Sequence, residues 1–399
     1  MRILIVHSNA AVIGGAERYL QRAIPELMRR GHEVALLHEH PAGGASDVLS
    51  DDVPMWRAGP QALDGMAREL AEWAPGLVYV HHWTLLRIER ALIGSYPAIW
   101  FAHDYSRTCP TGKKCCSFPK VEPCSRRAGP ACLILHYPRR CGGLNPITAW
   151  ARFQLQSEQL DLVARYRAVV AGSQHMCNEL AKHGVDSARL HLATLFPPES
   201  HPDSSPPVMR QPTGKLLMVG RLVDVKGGRN LIEALPLASA RLPYRLSLTI
   251  AGSGPEEAQL RTLAVSIGAE INFVGWVEGP RMDSLMREAD LLAMPSLWPE
   301  PFGLAGLEAG CVGLPSVAYA SGGVVDWLIA GESGEVAPAD PPTPAGLADA
   351  IVRALAEPSH YQRLRHGAWE MSKRFTIEAH MDKLASIMER VAHDARVCV

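Results

Sequence analysis

The feature that most constrains this chain is an alternation that runs twice. Short apolar strands end in polar or Gly-containing loops, amphipathic stretches follow them, and one Pro- and Ser-rich segment separates the two runs. In the first run RILIVHS, HEVALLHE, GLVYVHH, AIWFAHD and AVVAGS read as strands. Helices are expected from about Ala16 to Arg30, through ALDGMARELAEW on the spacing of Leu63, Met66, Ala67 and Leu70, from about Ile147 to Tyr166, and through QHMCNELAKHG. The second run repeats the pattern with KLLMVGRL, LSLTIAGSG, INFVGWV, DLLAMPS and PSVAYAS, a further turn through VVDWLIAGESG, and helices only from about Pro344. Near-continuous apolar strands joined by helices predict parallel sheets covered on both faces, an α/β doubly wound class, with function at the carboxyl ends of the strands. Gly14, Gly15, His81, His82, His103 and Asp104 fall at those ends.

A chain of 399 residues exceeds one ordinary core. The pattern divides it into a first domain over 1–196 that carries an irregular insert at 105–147, a linker at 197–213, and a second domain over 214–377, with a final helix at 378–399. At 47% hydrophobic and 20% charged, with a net charge of -1, the composition is that of a globular protein with no whole-chain attraction to nucleic acid. The opening MRILIVHSNA turns polar at His7 too early for a signal peptide, and no apolar run approaches the ~20 residues of a spanning helix, so a cytoplasmic location is expected.

The stretch from Met294 to Gly323 holds the densest chemistry. A buried strand ends, a Pro-rich loop carries Glu300, and a small-residue helix is expected to open near Phe302 and to carry Glu308. No Ser, Thr or Asp stands where its N-cap belongs, Pro301 suits the first helical position, and Gly303 and Gly306 permit close approach, so its free N–H groups form an anion site. GRLVDVKGG places Arg221 and Lys226 just after a strand, after Gly220, and two cations there can neutralise a diphosphate. AGSGP, with Gly252, is a further strand-to-helix Gly loop.

Taken in order, GGAE, HD, GRLxxxKG, AGSGP, FVGWV and PSLWPEPFGLAGLEA span Gly14 to Gly323 and resemble the retaining glycosyltransferases of family 4, with their E-x7-E motif and GT-B fold. The resemblance implies two Rossmann-like domains facing a cleft, with the final helix crossing back to the first. It implies transfer of a sugar from a UDP- or GDP-sugar co-substrate to an acceptor hydroxyl in the synthesis of a glycan, polysaccharide or glycosylated metabolite, with no cofactor required. Catalysis would involve His103, Glu300, Arg221 and Lys226. Donor binding would fall to Gly15, Gly220, Gly252, Val274, Trp276, Val277, Pro301, Phe302, Gly303, Leu304 and Glu308, with Glu300 on sugar hydroxyls and Glu308 on the ribose. None of the motifs is a DxD metal site, which favours metal-independent transfer with retention. A catalytically inactive nucleotide-sugar-binding subunit and a GT-B epimerase are the alternatives.

The insert departs from the family pattern. Cys109, Cys115, Cys116, Cys124, Cys132 and Cys141 lie close together with His136 among them, which suggests a staple, either disulfides or a structural zinc, although no CxxC pair is present. His81, His82 and Asp104 are acceptor-side candidates. Lys113, Lys114, Arg126, Arg127, Arg139 and Arg140 give the insert a basic character suited to an anionic acceptor or to peripheral contact with a membrane.

Overall fold

The computed structural model describes residues 1–12, 14–41, 53–59, 63–198 and 201–397. Residues 199–200 of the expected linker and 398–399 of the expected final helix lie outside that set. In chain order the strands are β1 (Arg2–Asn9), β2 (Glu33–His40), β3 (Met55–Arg57), β4 (Leu77–Val80), β5 (Ala98–Ala102), β6 (Cys115–Cys116), β7 (Glu122–Pro123), β8 (Ala168–Ala171), β9 (Leu190–Leu192), β10 (Lys215–Val219), β11 (Ser247–Ala251), β12 (Glu270–Gly275), β13 (Leu291–Met294), β14 (Ser316–Tyr319) and β15 (Gly334–Ala337). The helices are α1 (Gly15–Arg29), α2 (Leu63–Trp73), α3 (Leu86–Ser95), α4 (Ala131–Leu135), α5 (Pro146–Val163), α6 (Gln174–Lys182), α7 (Gly228–Ser239), α8 (Glu257–Ile267), α9 (Pro280–Glu288), α10 (Leu304–Cys311), α11 (Pro344–Ala356), α12 (Pro358–Ser372) and α13 (Ile377–Val397).

Two parallel sheets result. The first runs β3-β2-β1-β4-β5-β8-β9 and the second β12-β11-β10-β13-β14-β15. Pleating sends successive residues to opposite faces, and both faces are covered. Ile3 and Ile5 enter one apolar cluster while Leu4 and Val6 enter another, and in the second sheet Leu216 and Met218 part from Leu217 in the same way.

The final helix α13 buries Met381, Leu384, Ile387, Met388 and Val391 in the cluster that also contains Ile3, Leu20 and Leu27 of the first domain. Arg30 pairs with Asp382 of that helix at 2.7 Å. The segment before β10 does not swing freely. Asp203 accepts from Trp369 Nε1 at 2.8 Å through its backbone and pairs with Arg287 at 2.7 Å, and its N–H donates to Cys311 O at 2.9 Å, which pins the chain along the second domain.

Outside the insert, four elements were not legible in the sequence. Strands β3, β9 and β15 are three or four residues long, too short to show periodicity, and α3 hides between two strands with few buried apolar residues, Ile88 and Leu92. The insert is not wholly irregular: β6 and β7 form a small antiparallel pair and α4 lies against α5.

Candidate active site

In each sheet the strand order reverses once, between β1 and β4 in the first and between β10 and β13 in the second. Neighbouring loops diverge at such a point and leave a crevice at the carboxyl ends. Gly15 follows β1, His81 and His82 follow β4, His103 follows β5, Arg221 and Lys226 follow β10, and Glu300 follows β13. Topology alone therefore brings these separated residues to one cleft.

The loop carrying Glu300 is held carbonyl by carbonyl. Pro299 O accepts from Tyr105 OH at 2.7 Å, Glu300 O from Gly323 N at 2.7 Å, Pro301 O from Ser173 Oγ at 2.5 Å, and Phe302 O from Trp327 Nε1 at 2.7 Å. Tyr105 and Ser173 belong to the first domain, so the two domains meet at this loop. Pro301 is not the first helical residue, as its fit to that position predicts. Gly303 takes a left-handed conformation at φ 90° and sets α10 off at Leu304, with no side-chain cap. Gly306 serves packing, because a Cβ there would stand 1.9 Å from the buried Trp327 ring. Gly306 N donates to Gly303 O at 3.1 Å, and the residues that open α10, Leu304 and Ala305, line with Gly303 a cavity of about 370 Å³.

Lys226 Nζ forms an ion pair with Glu300 Oε1, and Ser296 Oγ donates to the same oxygen at 2.5 Å. Burial alone would raise the Glu300 carboxyl. The Lys226 charge, with the hydrogen bonds from Lys226 and Ser296, outweighs it and holds the group below the usual carboxylate range. Lys226 also lies 5.2 Å over the Trp298 ring.

Across the cleft the first domain presents a buried histidine network. His81 Nδ1 and His103 Nε2 are 2.7 Å apart. His81 Nε2 is buried without a hydrogen-bond partner among the described residues. A buried orphan N–H costs more than a buried orphan lone pair, so the His81 proton belongs on Nδ1, donated to His103. His103 then carries its own proton on Nδ1, the one polar hydrogen it can offer to the cavity it lines. Burial, aided by the positive potential of His7, lowers His103 to about 3, and burial holds His81 well below its ordinary value, so both are neutral at physiological pH. Below them Glu17 sits 2.7 Å from His7 Nε2 and accepts from Gly14 N at 2.8 Å. Burial opposes its ionisation but His7 prevails and brings it down to about 2.

A second cavity, of about 880 Å³, adjoins the first. Asp104, Lys226 and Trp298 line both. Thr111 and Lys113 of the insert, Arg152 of α5, His82 and Arg221 line only the larger. Of the expected residues, Gly15, His103, Glu300, Pro301, Phe302, Gly303 and Leu304 gather around the smaller. Gly220, Gly252, Val274, Trp276, Val277 and Glu308 line neither cavity. Val277 is buried in the core, Glu308 is half-buried further along α10, and Trp276 is exposed with Arg18 of α1 5.9 Å over its ring. His81 is corrected from acceptor candidate to a buried residue behind His103, 2% exposed. Trp298, Ser296, Tyr105, Ser173 and Arg152 were missed. Trp298, beside a Pro-rich loop that already held Glu300, was the one with a readable signal.

The six cysteines of the insert and His136 surround one cavity of about 50 Å³. All six are free thiols, and among the described residues no three His, Cys, Asp or Glu side chains are arranged to hold a metal ion. His136 Nε2 lies 2.8 Å from Gly143 O instead. The basic residues are partly neutralised: Lys114 is buried in an ion pair with Glu179, and Arg139 meets Glu122 at 2.9 Å.

Two parallel domains whose reversal points face each other over a cleft, with an uncapped helix and a Lys–Glu pair at its centre, define the GT-B class of glycosyltransferase. Residues 13–193 match the description Glycosyltransferase Family 4, and residues 205–371 match Glycosyl transferases group 1. The chain belongs to this family of glycosyltransferases, which act on nucleotide sugars. It is 26% identical to glycogen synthase of Mycobacterium tuberculosis, over 92% of this chain and 89% of that protein. It is 29% identical to D-inositol 3-phosphate glycosyltransferase of Jonesia denitrificans, over 59% and 60%. Its fold matches HepE of Anabaena in complex with UDP and glucose, with a TM-score of 0.68 at 18% identity, covering 98% of this chain and all of that one.

Proposed function

We propose that this glycosyltransferase moves a hexosyl group from a UDP- or GDP-sugar to an acceptor hydroxyl with retention and without a metal ion. The observation that carries the reading is the Lys226–Glu300 pair at the junction of the two cavities, with the α10 N-terminus on one side and His103 on the other. The diphosphate lies against the α10 amides, beside Lys226 and Arg221, so the negative charge that develops as the anomeric C–O bond breaks meets fixed positive groups. Glu300, held ionised, accepts hydrogen bonds from sugar hydroxyls, and neutral His103 donates one. Glu308 holds the ribose, and the backbone around Gly220, Gly252 and Val274 to Val277 receives the nucleoside. The acceptor enters from the larger cavity, past His82 and Asp104. Its oxygen bonds the anomeric carbon on the face the diphosphate leaves, and its proton passes to a phosphate oxygen of the leaving group. Attack and departure on one face give retention. HepE, which shares the fold and binds UDP and glucose, supports the donor class.

Thermal unfolding with a panel of UDP- and GDP-sugars, read together with release of free nucleoside diphosphate, tests this. One donor is expected to raise the melting temperature by mass action and to be slowly hydrolysed. No stabilisation and no release with any donor would refute it.

A further inference from the structure

Six large apolar side chains stand exposed between residues 118 and 150: Phe118, Ile134, Tyr137, Leu144, Ile147 and Trp150, with Leu144 and Ile147 each 78% exposed. Their surroundings are one-sided in charge. Residues 105–152 contain nine Lys or Arg and a single carboxylate, Glu122, in a chain whose net charge is -1. Arg107 and Lys114 are buried in ion pairs, but Lys120, Arg126, Arg127 and Arg140 remain exposed.

These residues belong to one surface. The N–H groups of Ser117 and Phe118 donate to Arg139 O at 3.0 and 3.1 Å, and Arg140 lies 5.1 Å over the Phe118 ring. Tyr137 stands two residues past the end of α4, α4 lies against α5, and Ile147 and Trp150 sit one turn apart in the exposed first half of α5. Water-exposed apolar tips set among unpaired cations match the boundary of an anionic bilayer, where the apolar groups enter the acyl region and the cations meet phosphates. No helix among the described residues is long and apolar enough to cross a membrane, so contact of this kind is peripheral. An acidic protein would satisfy the cations but leave the apolar tips without a matching recess.

We infer that the outer face of the cysteine insert and the start of α5 form a docking surface for an anionic lipid bilayer. The insert and α5 also line the larger cavity, so docking holds its mouth at the headgroup layer and favours an acceptor carried on a lipid. That consequence rests on the acceptor reading above, whereas the docking itself does not.

The test is flotation of the full chain with vesicles of phosphatidylcholine containing phosphatidylglycerol, against phosphatidylcholine alone. The wild type is expected to float with the anionic vesicles only, and to be released by salt. Ile147→Ser/Trp150→Ser and Lys120→Glu/Arg140→Glu should each cut the bound fraction at least about fivefold, since two apolar anchors or two cations are lost. Donor hydrolysis and the melting temperature, measured in solution, should stay unchanged, because these side chains are exposed and outside both cavities. A wild type that ignores anionic vesicles would overturn the inference even if a variant failed to fold. So would variants that float as well as the wild type, or a wild-type dimer in size exclusion that the variants dissociate without any vesicle binding, which would mark the surface as a self-contact.

Discussion

Lys226→Ala removes the countercharge of a buried carboxylate, and its cost follows from the geometry. Glu300 is 8% exposed at its side chain and Lys226 26%. Breaking a fully buried pair costs about 3–5 kcal/mol, but Lys226 reaches solvent and Ser296 still donates to Glu300, so about 1–3 kcal/mol is expected here. For domains of this size that is a fall of roughly 3–10 °C in melting temperature. Adding Glu300→Gln removes the stranded charge, so the double variant should recover at least half of the loss while sugar transfer stays about a thousandfold down in both. The pH dependence has a definite sign. In the wild type Glu300 is held low, and its contribution is present at neutral pH and lost as pH falls through its folded value. In Lys226→Ala burial acts without the lysine and raises the carboxyl, so the folded variant gains protons before the unfolded chain does. Its deficit against the wild type should narrow between pH 8 and pH 5, read by thermal unfolding at each pH. A double variant no more stable than the single one, or a deficit that widens in acid, would refute the pairing argument.

The histidine network and the thiols give two further tests. Burial holds His81 well below its ordinary value, His103 at about 3 and His380 at about 4, so the folded chain refuses protons that the unfolded chain accepts below about 6.5. Stability is therefore complete above pH 7 and falls by about 1 kcal/mol per histidine between pH 7 and 5.5, less for the partly exposed His103. Glu17, at about 2, does not enter that window. Urea midpoints that do not move between those pH values would contradict this. In the insert, burial pushes the Cys115 and Cys141 thiols up to about 12, so almost no thiolate exists at neutral pH. Iodoacetamide should label them at least about a hundredfold more slowly in the native protein than in the unfolded chain. Rapid native labelling, or a disulfide or metal found in their place, would show that the cavity is closed by other chemistry.

The doubly wound class was legible because buried parallel strands are apolar at every position, and because the loops between them end in Gly, His and charged residues. The cleft was legible for the same reason, since the strand ends carry Gly15, His103, Lys226 and Glu300. What stayed hidden depends on partners distant in sequence. Ser173 and Tyr105 look like ordinary strand-end residues until they are seen to hold Pro301 O and Pro299 O. His81 looked like a cleft residue because it ends a strand, but the pleat turns it inward onto His103. Pro301 looked like a helix start, yet Gly303, which alone tolerates the left-handed turn, sets the boundary two residues later.

These hidden contacts connect the unusual half of the chain to the familiar one. Tyr105 opens the insert and fastens the carbonyl next to Glu300, while Lys113, further along the insert, stands 3.6 Å from Asp224, two residues before Lys226. The insert therefore touches both flanks of the Lys226–Glu300 pair from the side of the larger cavity. Any displacement of the insert must move Pro299 or break its hydrogen bond, and Glu300 is bonded to Pro299 through the chain. An acceptor settling against the insert would thus reach the donor loop through two short paths, one covalent at the carboxylate and one electrostatic at the lysine.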